Sequence, residues 1–350
     1  MSLVVSKIIY KVAILFLMMV PGIILKKSKM ISDGFGKGLS NLVLYIAQPA
    51  LVFLAYVRPY DKQIMLNSIY VLIFSVIAHA IFAVVAMYVF KKAPDEKARM
   101  LKFATIFANA AFMGIPLIEA VLEADYPGST MYASIYNITF NLFLWSLGVK
   151  ICTDGRDINQ DGVNDFKELS AIRRPKVDDD IVKNGSASIL KAILHPVTIA
   201  AAIGLVFFVL PIEKITLAPM LESGVGLIYE SLSMLKNLVA PLSMVVIGIR
   251  LTDIDFKKGF NDKLMYVFLA LRHIVLPLII VVIMKLFGLF GLNISPAVSM
   301  VTIILAATPA AASATMFAEK FGCDSMYVSK LVAISTIISI ATMPLILLFA

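Results

Sequence analysis

Asn109, Gly114 and Pro116 stand close together in the stretch ANAAFMGIPLI (108–118), inside a run of the chain that is otherwise apolar. These residue types suit recognition, not bond breaking. Asn109 offers an amide that can donate to a carboxylate. Pro116 has no backbone N–H and clashes with the carbonyl four residues earlier, so a helix is expected to break or kink there. Backbone groups freed at bilayer depth are tolerated only where protein buries them or a wet cavity meets them. A second stretch, IILAATPAAASATMF (303–317), has the same character, with Thr308 and Pro309 set among small residues. Interrupted helices at corresponding positions of two halves point to a transporter's substrate site. The start of each half-helix exposes N–H groups with partial positive charge. Pro116 and Pro309 suit its first turn, where a missing N–H costs nothing. An anion held between two such ends needs no buried lysine. The competing reading is two prolines that merely kink helices against small-residue packing; breaks at matched positions favour the site.

The expected substrate-binding set is therefore Asn109, Gly114, Pro116, Thr308 and Pro309, joined by Gln48 and Asn237 from two further helices that carry Pro49 and Pro241. Gln48 either hydrogen-bonds substrate or satisfies a carbonyl freed by Pro49. Asn137 and Asn141, one turn apart, read as glue between helices. His79, Glu230, Lys236, Arg272 and His273 are ionisable groups within apolar segments and so are functional candidates. Arg272 is expected to snorkel toward the surface, and Glu230 and Lys236 to lie near the outer one. Glu119 is the only carboxylate near either break. No nucleophile–base pair or core metal cluster appears, so an enzyme is not expected.

The elements that must position these residues follow from composition. The chain has 350 residues, 60% hydrophobic and only 15% charged, with a mean hydropathy of +0.91. That balance predicts an all-α polytopic membrane protein. A net charge of +8 would suit nucleic acid, but the charges sit in short loops between apolar runs, so no nucleic-acid partner is expected. Ten segments are predicted near 6–25, 38–57, 66–90, 100–122, 129–151, 188–210, 222–251, 263–287, 296–319 and 325–349. Loops after odd-numbered segments are rich in lysine and arginine (Lys26, Lys27, Lys29, Lys37; Lys91, Lys92, Lys97, Arg99, Lys102; Arg250, Lys257, Lys258, Lys263). Loops after even-numbered segments hold only Arg58, Lys62, Lys214 and Lys285. Both termini are thus expected outside the cytoplasmic (inner) membrane. The first apolar run follows Lys7 and Lys11 but lacks a small-x-small cleavage site, so an uncleaved first helix is expected. Cys152 and Cys323 are expected to be free thiols.

The chain also repeats itself. NLVLYIAQPAL (41–51) resembles LSMLKNLVAPL (232–242), Pro49 to Pro116 spans 67 residues and Pro241 to Pro309 spans 68. GSTMY (128–132) follows the first break and GCDSMY (322–327) the second. Five helices per unit is odd, so the second unit, 188–350, is expected to insert upside down relative to the first, 1–151. Between them the polar stretch 152–187 reads as a cytoplasmic linker. It contains Asp157, Asn159, Asp161, Gly162, Val163 and Glu168 at the spacing of a calcium loop, with oxygen ligands at positions one, three, five and twelve. Asn164 stands where that loop is normally apolar, and a solvated linker without a cofactor is the preferred reading.

These residues resemble the auxin efflux carrier (PIN-like) family, in its shorter-looped prokaryotic form. The run from Asn109 to Ala120, NAAFMGIPLIEA, resembles the plant carriers' NTLVMGIPLLKA, and the second break resembles their PQGIVPFVFAKEY. The resemblance implies ten helices in two inverted five-helix repeats, with broken crossover helices four and nine. It further implies a scaffold and a moving transport domain, a homodimer and elevator-like movement. Asn109 falls on the family's substrate-binding asparagine, and Pro116 and Pro309 on its crossover prolines. Ala310 and Ala314 replace the family's glutamine and second proline, which implies that contacts to an indole-carboxylate are missing. The expected function is export of small organic anions such as carboxylates, bound at the crossover. A sodium-coupled symporter of bile-acid type and a non-transporting membrane sensor are the alternatives.

Overall fold

The computed structural model describes residues 2–32, 34–153, 190, 193–210, 224–252, 262–292 and 294–349. The calcium-loop-like residues, Asp157 to Glu168, lie outside the described residues. Among the described residues the regular structure is helical, apart from one isolated antiparallel bridge between Ala108 and Ala310. Among the described residues seven helices are long and apolar enough to cross a membrane: α1 (Ile9–Lys27), α2 (Phe35–Tyr56), α3 (Lys62–Val89), α6 (Ser129–Thr153), α8 (Gly226–Leu251), α9 (Lys263–Leu289) and α12 (Ser325–Leu347). Three shorter apolar helices are α5 (Ala110–Leu122), α7 (Pro196–Val209) and α10 (Pro296–Ala307). Two more, α4 (Asp95–Ile106) and α11 (Ser313–Phe321), complete the set.

Helix starts follow local chemistry. Asp61, Asp262, Ser295 and Asp324 each accept a backbone N–H of the first turn, at α3, α9, α10 and α12 respectively. Such caps satisfy groups that have no partner within the helix. Within α3 the polarity is inside out. Leu66, Ile69, Ile73 and Val76 are exposed, whereas Asn67, Ser75 and His79 are buried. Lipid accepts the apolar face, and the polar groups find partners inside: Ser75 Oγ donates to Thr139 Oγ1 on α6 at 2.7 Å.

Pro116 does not do what the sequence suggested. Widened π-helical turns cover Val43–Ala47, Ala110–Gly114, Leu144–Gly148 and Leu271–Val275, and all but the third are followed two residues later by a proline, Pro49, Pro116 or Pro277. The looser turn relieves the clash that proline makes with the preceding carbonyls, so the helix continues through it. Pro116 therefore lies inside a continuous helix. The interruption falls earlier, at 107–109, because α4 has already ended at Ile106.

The helices pack in two groups. In one, α7 and α8 lie against α2, and α8 lies against α1. In the other, α3 packs on α4 and α6, α5 on α6 and α10, α10 on α6, α9 and α12, and α11 on α12. The α1–α8 contact is a close backbone approach. A methyl group at Gly22 would collide with the Val245 carbonyl, and one at Gly248 with the Met19 carbonyl. Gly248→Leu is expected to destabilise the protein by about 1–3 kcal/mol, the usual cost of overpacking. Thermal unfolding in detergent checks this against Gly288→Ala, where a methyl meets nothing within 4 Å and no loss is expected.

Candidate functional site

Two unwound segments meet at the centre of the second group. Phe107 is extended (φ −94°, ψ 112°) and Asn109 is non-helical (φ −77°, ψ 53°). Thr308, held extended by the proline that follows it (φ −61°, ψ 151°), opens the break between α10 and α11. The segments run antiparallel and exchange backbone hydrogen bonds. Asn109 N–H donates to the Pro309 carbonyl, and Ala311 N–H to the Phe107 carbonyl, both at 2.8 Å. Each break thereby satisfies the other where lipid would not.

A cavity of about 110 Å³ adjoins this crossing. Gln48 and Tyr45 of α2, Asn109, Asn137 and Asn141, Trp145 of α6, and His195 at the start of α7 contribute to its wall. Ala111, Phe112 and Ser313, from the first turns of α5 and α11, also line it, so two helix N-termini border the space. Among the described residues that line it there is no lysine, arginine, aspartate or glutamate.

Its polar atoms are incompletely used. Gln48 Nε2 donates to the Ala111 carbonyl at 2.8 Å, but Gln48 Oε1 has no partner. Asn109 Nδ2, Asn137 Oδ1 and Asn141 Nδ2 are likewise buried without partners. Buried amides are nearly always hydrogen-bonded, and an unmade bond costs on the order of 1–3 kcal/mol. Four such atoms around one cavity describe a site that a polar solute would complete. Asn137 and Asn141, expected as glue between helices, also line the cavity. Their i, i+4 spacing was the available signal. Trp145 and His195 gave none, because their place depends on helices remote in sequence.

The structure brings Gln48 and Asn109 to the cavity wall and puts the other expected residues elsewhere. Gly114 allows close approach of α10, since a methyl there would collide with the Leu305 side chain. Pro116 is buried in the turn that follows the π-helical segment. Thr308 Oγ1 donates to the Leu305 carbonyl at 2.8 Å, and the Pro309 carbonyl is taken by Asn109. Asn237 is exposed at a kink in α8. Among the described residues no group of three or more His, Cys, Asp or Glu could hold a metal ion.

Arg272 does not snorkel; it is fully buried (0% exposed). All four of its hydrogen bonds reach main-chain carbonyls: Nε and Nη2 to Thr308 at 3.1 and 2.7 Å, Nη2 to Ala306 at 3.0 Å, and Nη1 to Thr105 at 3.2 Å. The adjacent His273 contacts Ser335 Oγ (2.8 Å), which accepts the Ala310 N–H. Both residues lie in the widened turn of α9.

At the start of α6, far along that helix from Trp145, charges pair across the two helix groups. Arg58 meets Glu123 at 2.6 Å and Lys236 meets Glu119 at 2.7 Å. Burial would raise the Glu123 carboxyl, but the N–H groups of Gly128 and Thr130 and the Arg58 guanidinium hold it below the usual carboxylate range.

A family model described as membrane transport protein matches residues 7–347. The chain belongs to that family, which comprises the auxin efflux carriers and their PIN-like relatives and is not enzymatic. No curated protein is matched by the chain.

Because the Glu123 pKa is depressed by folding, the stability it contributes is complete above the ordinary glutamate range. It is lost as pH falls through the lowered value. Glu123→Gln should lower the melting temperature near neutral pH, and the gap from wild type should close in that acid range. Melting curves recorded against pH measure both effects.

Proposed function

Taking membership of that transport family as the premise, we propose that the protein is a secondary carrier. It exports small organic anions such as carboxylates across the cytoplasmic membrane, binding them at the crossing of the two interrupted helices. The observation that carries this reading is the cavity itself: two helix N-termini border it, Asn109 and Asn141, whose buried amide nitrogens are unpartnered donors, line it, and its described lining residues include no lysine, arginine, aspartate or glutamate. Each N-terminus supplies roughly half a positive charge, so the pair is worth about one. That matches a single carboxylate, with Asn109 and Asn141 as donors and the apolar wall excluding water. A monovalent anion leaving the cell gains about 2.3 kcal/mol per 100 mV of inside-negative potential, enough to drive export without a second solute.

In this reading ten helices form two inverted five-helix repeats, 1–151 and 188–350, with both termini outside and the linker 152–187 in the cytoplasm. The α1–α2–α7–α8 group serves as scaffold within a homodimer, and the other group carries the anion by an elevator-type movement. Discrete polar ties between the groups support the division. Besides the two ion pairs there are Gln48 to Ala111, Tyr56 to Ser134 (2.8 Å) and Arg250 to the Ala312 carbonyl (2.7 Å).

The test is a thermal-shift screen of the purified protein against carboxylates, followed by counterflow of the best one in proteoliposomes. Asn109→Ala and Asn141→Ala should each weaken binding about 10- to 100-fold, the worth of a hydrogen bond to a charged group. Their melting temperatures without ligand should stay close to wild type. Carboxylate affinity unchanged in both variants would sink the assignment.

A further inference from the structure

We propose that Arg272 is a resident cation: its guanidinium stands where a dissociable coupling ion would otherwise bind, so that the carrier works without sodium. The half-helices that end at the crossing are α4 and α10, and helix C-termini carry roughly half a negative charge each. Their terminal carbonyls, Thr105, Ala306 and Thr308, converge on one point inside the protein. In discontinuous membrane helices such a set of C-terminal and unwound carbonyls is what holds a monovalent metal ion. Here an arginine has filled it. Arginine stays charged under all physiological conditions and presents a planar fork of donors, here directed at three carbonyls.

Two observations separate this from an ordinary buried ion pair. Every hydrogen bond of Arg272 goes to the main chain, and none to a carboxylate. The ring of Phe82 lies 5.3 Å from its guanidinium carbon, the arrangement of a cation over an aromatic face. The charge is therefore balanced by peptide dipoles, about −1 against +1. Because the negative ends are already neutralised, the two positive ends at the cavity remain for the transported anion. That last step rests on the carrier reading; the role of Arg272 at the carbonyls does not.

Purified protein in detergent gives the test through melting temperature, with no transport substrate required. Wild type should melt at the same temperature in sodium chloride and in choline chloride of equal ionic strength. Arg272→Ala should melt about 5 °C or more lower, and low millimolar guanidinium or sodium should raise it again in a saturable way. Arg272→Lys should retain most of the wild-type stability, and Arg272→Met, which keeps the bulk without the charge, should not. Should the alanine variant fail to accumulate, the lysine and methionine variants decide the matter by themselves. Equal stability of those two overturns the proposal, as does a wild-type protein stabilised by sodium over choline, or an alanine variant that neither cation raises. A carboxylate screen that finds no ligand would remove the carrier reading and leave these outcomes readable.

Discussion

The constraint on which the rest depends is that a peptide group at bilayer depth has no water to turn to. Two helices here give up their regular hydrogen bonding at the same place, and each supplies the other's missing partners through the Asn109–Pro309 and Ala311–Phe107 bonds. Crossing then sorts the four helix ends by polarity. The starts of α5 and α11 face the cavity, while the ends of α4 and α10 face Arg272. The helix starts that border the cavity and the buried guanidinium at the helix ends are two sides of one electrostatic arrangement. Neither requires a carboxylate in the membrane interior.

Division of the molecule into two helix groups is built from different materials on its two levels. Within the first group, Gly22 and Gly248 let α1 and α8 approach backbone to backbone, a contact that tolerates no added atom. Between the groups the polar contacts include single hydrogen bonds and two ion pairs whose side chains are 20–31% exposed, and one buried apolar cluster containing Val12, Leu51, Phe112 and Val301 runs through both groups.

The apolar segments, their interruption near Thr308 and the place of Asn109 were legible from the chain, because hydropathy and proline chemistry act locally. Pro116 was misread for a physical reason. Proline excludes a regular α-turn, but sequence does not distinguish a helix that stops from one that widens by a residue and continues. Arg272 was misread because snorkelling is the common fate of a membrane arginine, and nothing near it in sequence announces the carbonyls of Thr105 and Thr308. Asn137 and Asn141 carried a visible spacing, but whether such amides face a neighbouring helix or an open space depends on how α2, α6 and α7 assemble. Local rules position the backbone breaks; the partners that complete them come from across the fold.

The widened turn at Leu271–Val275 has one more effect. In a regular helix, consecutive side chains point about 100° apart, so neighbours in sequence rarely serve the same target. An extra residue in the turn slackens that geometry, and Arg272 and His273 both face inward, 0% and 2% exposed. One reaches the oxygen side of the interruption between α10 and α11, and the other, through Ser335, its nitrogen side. A single local loosening of one rod thus splints both edges of a fracture in another.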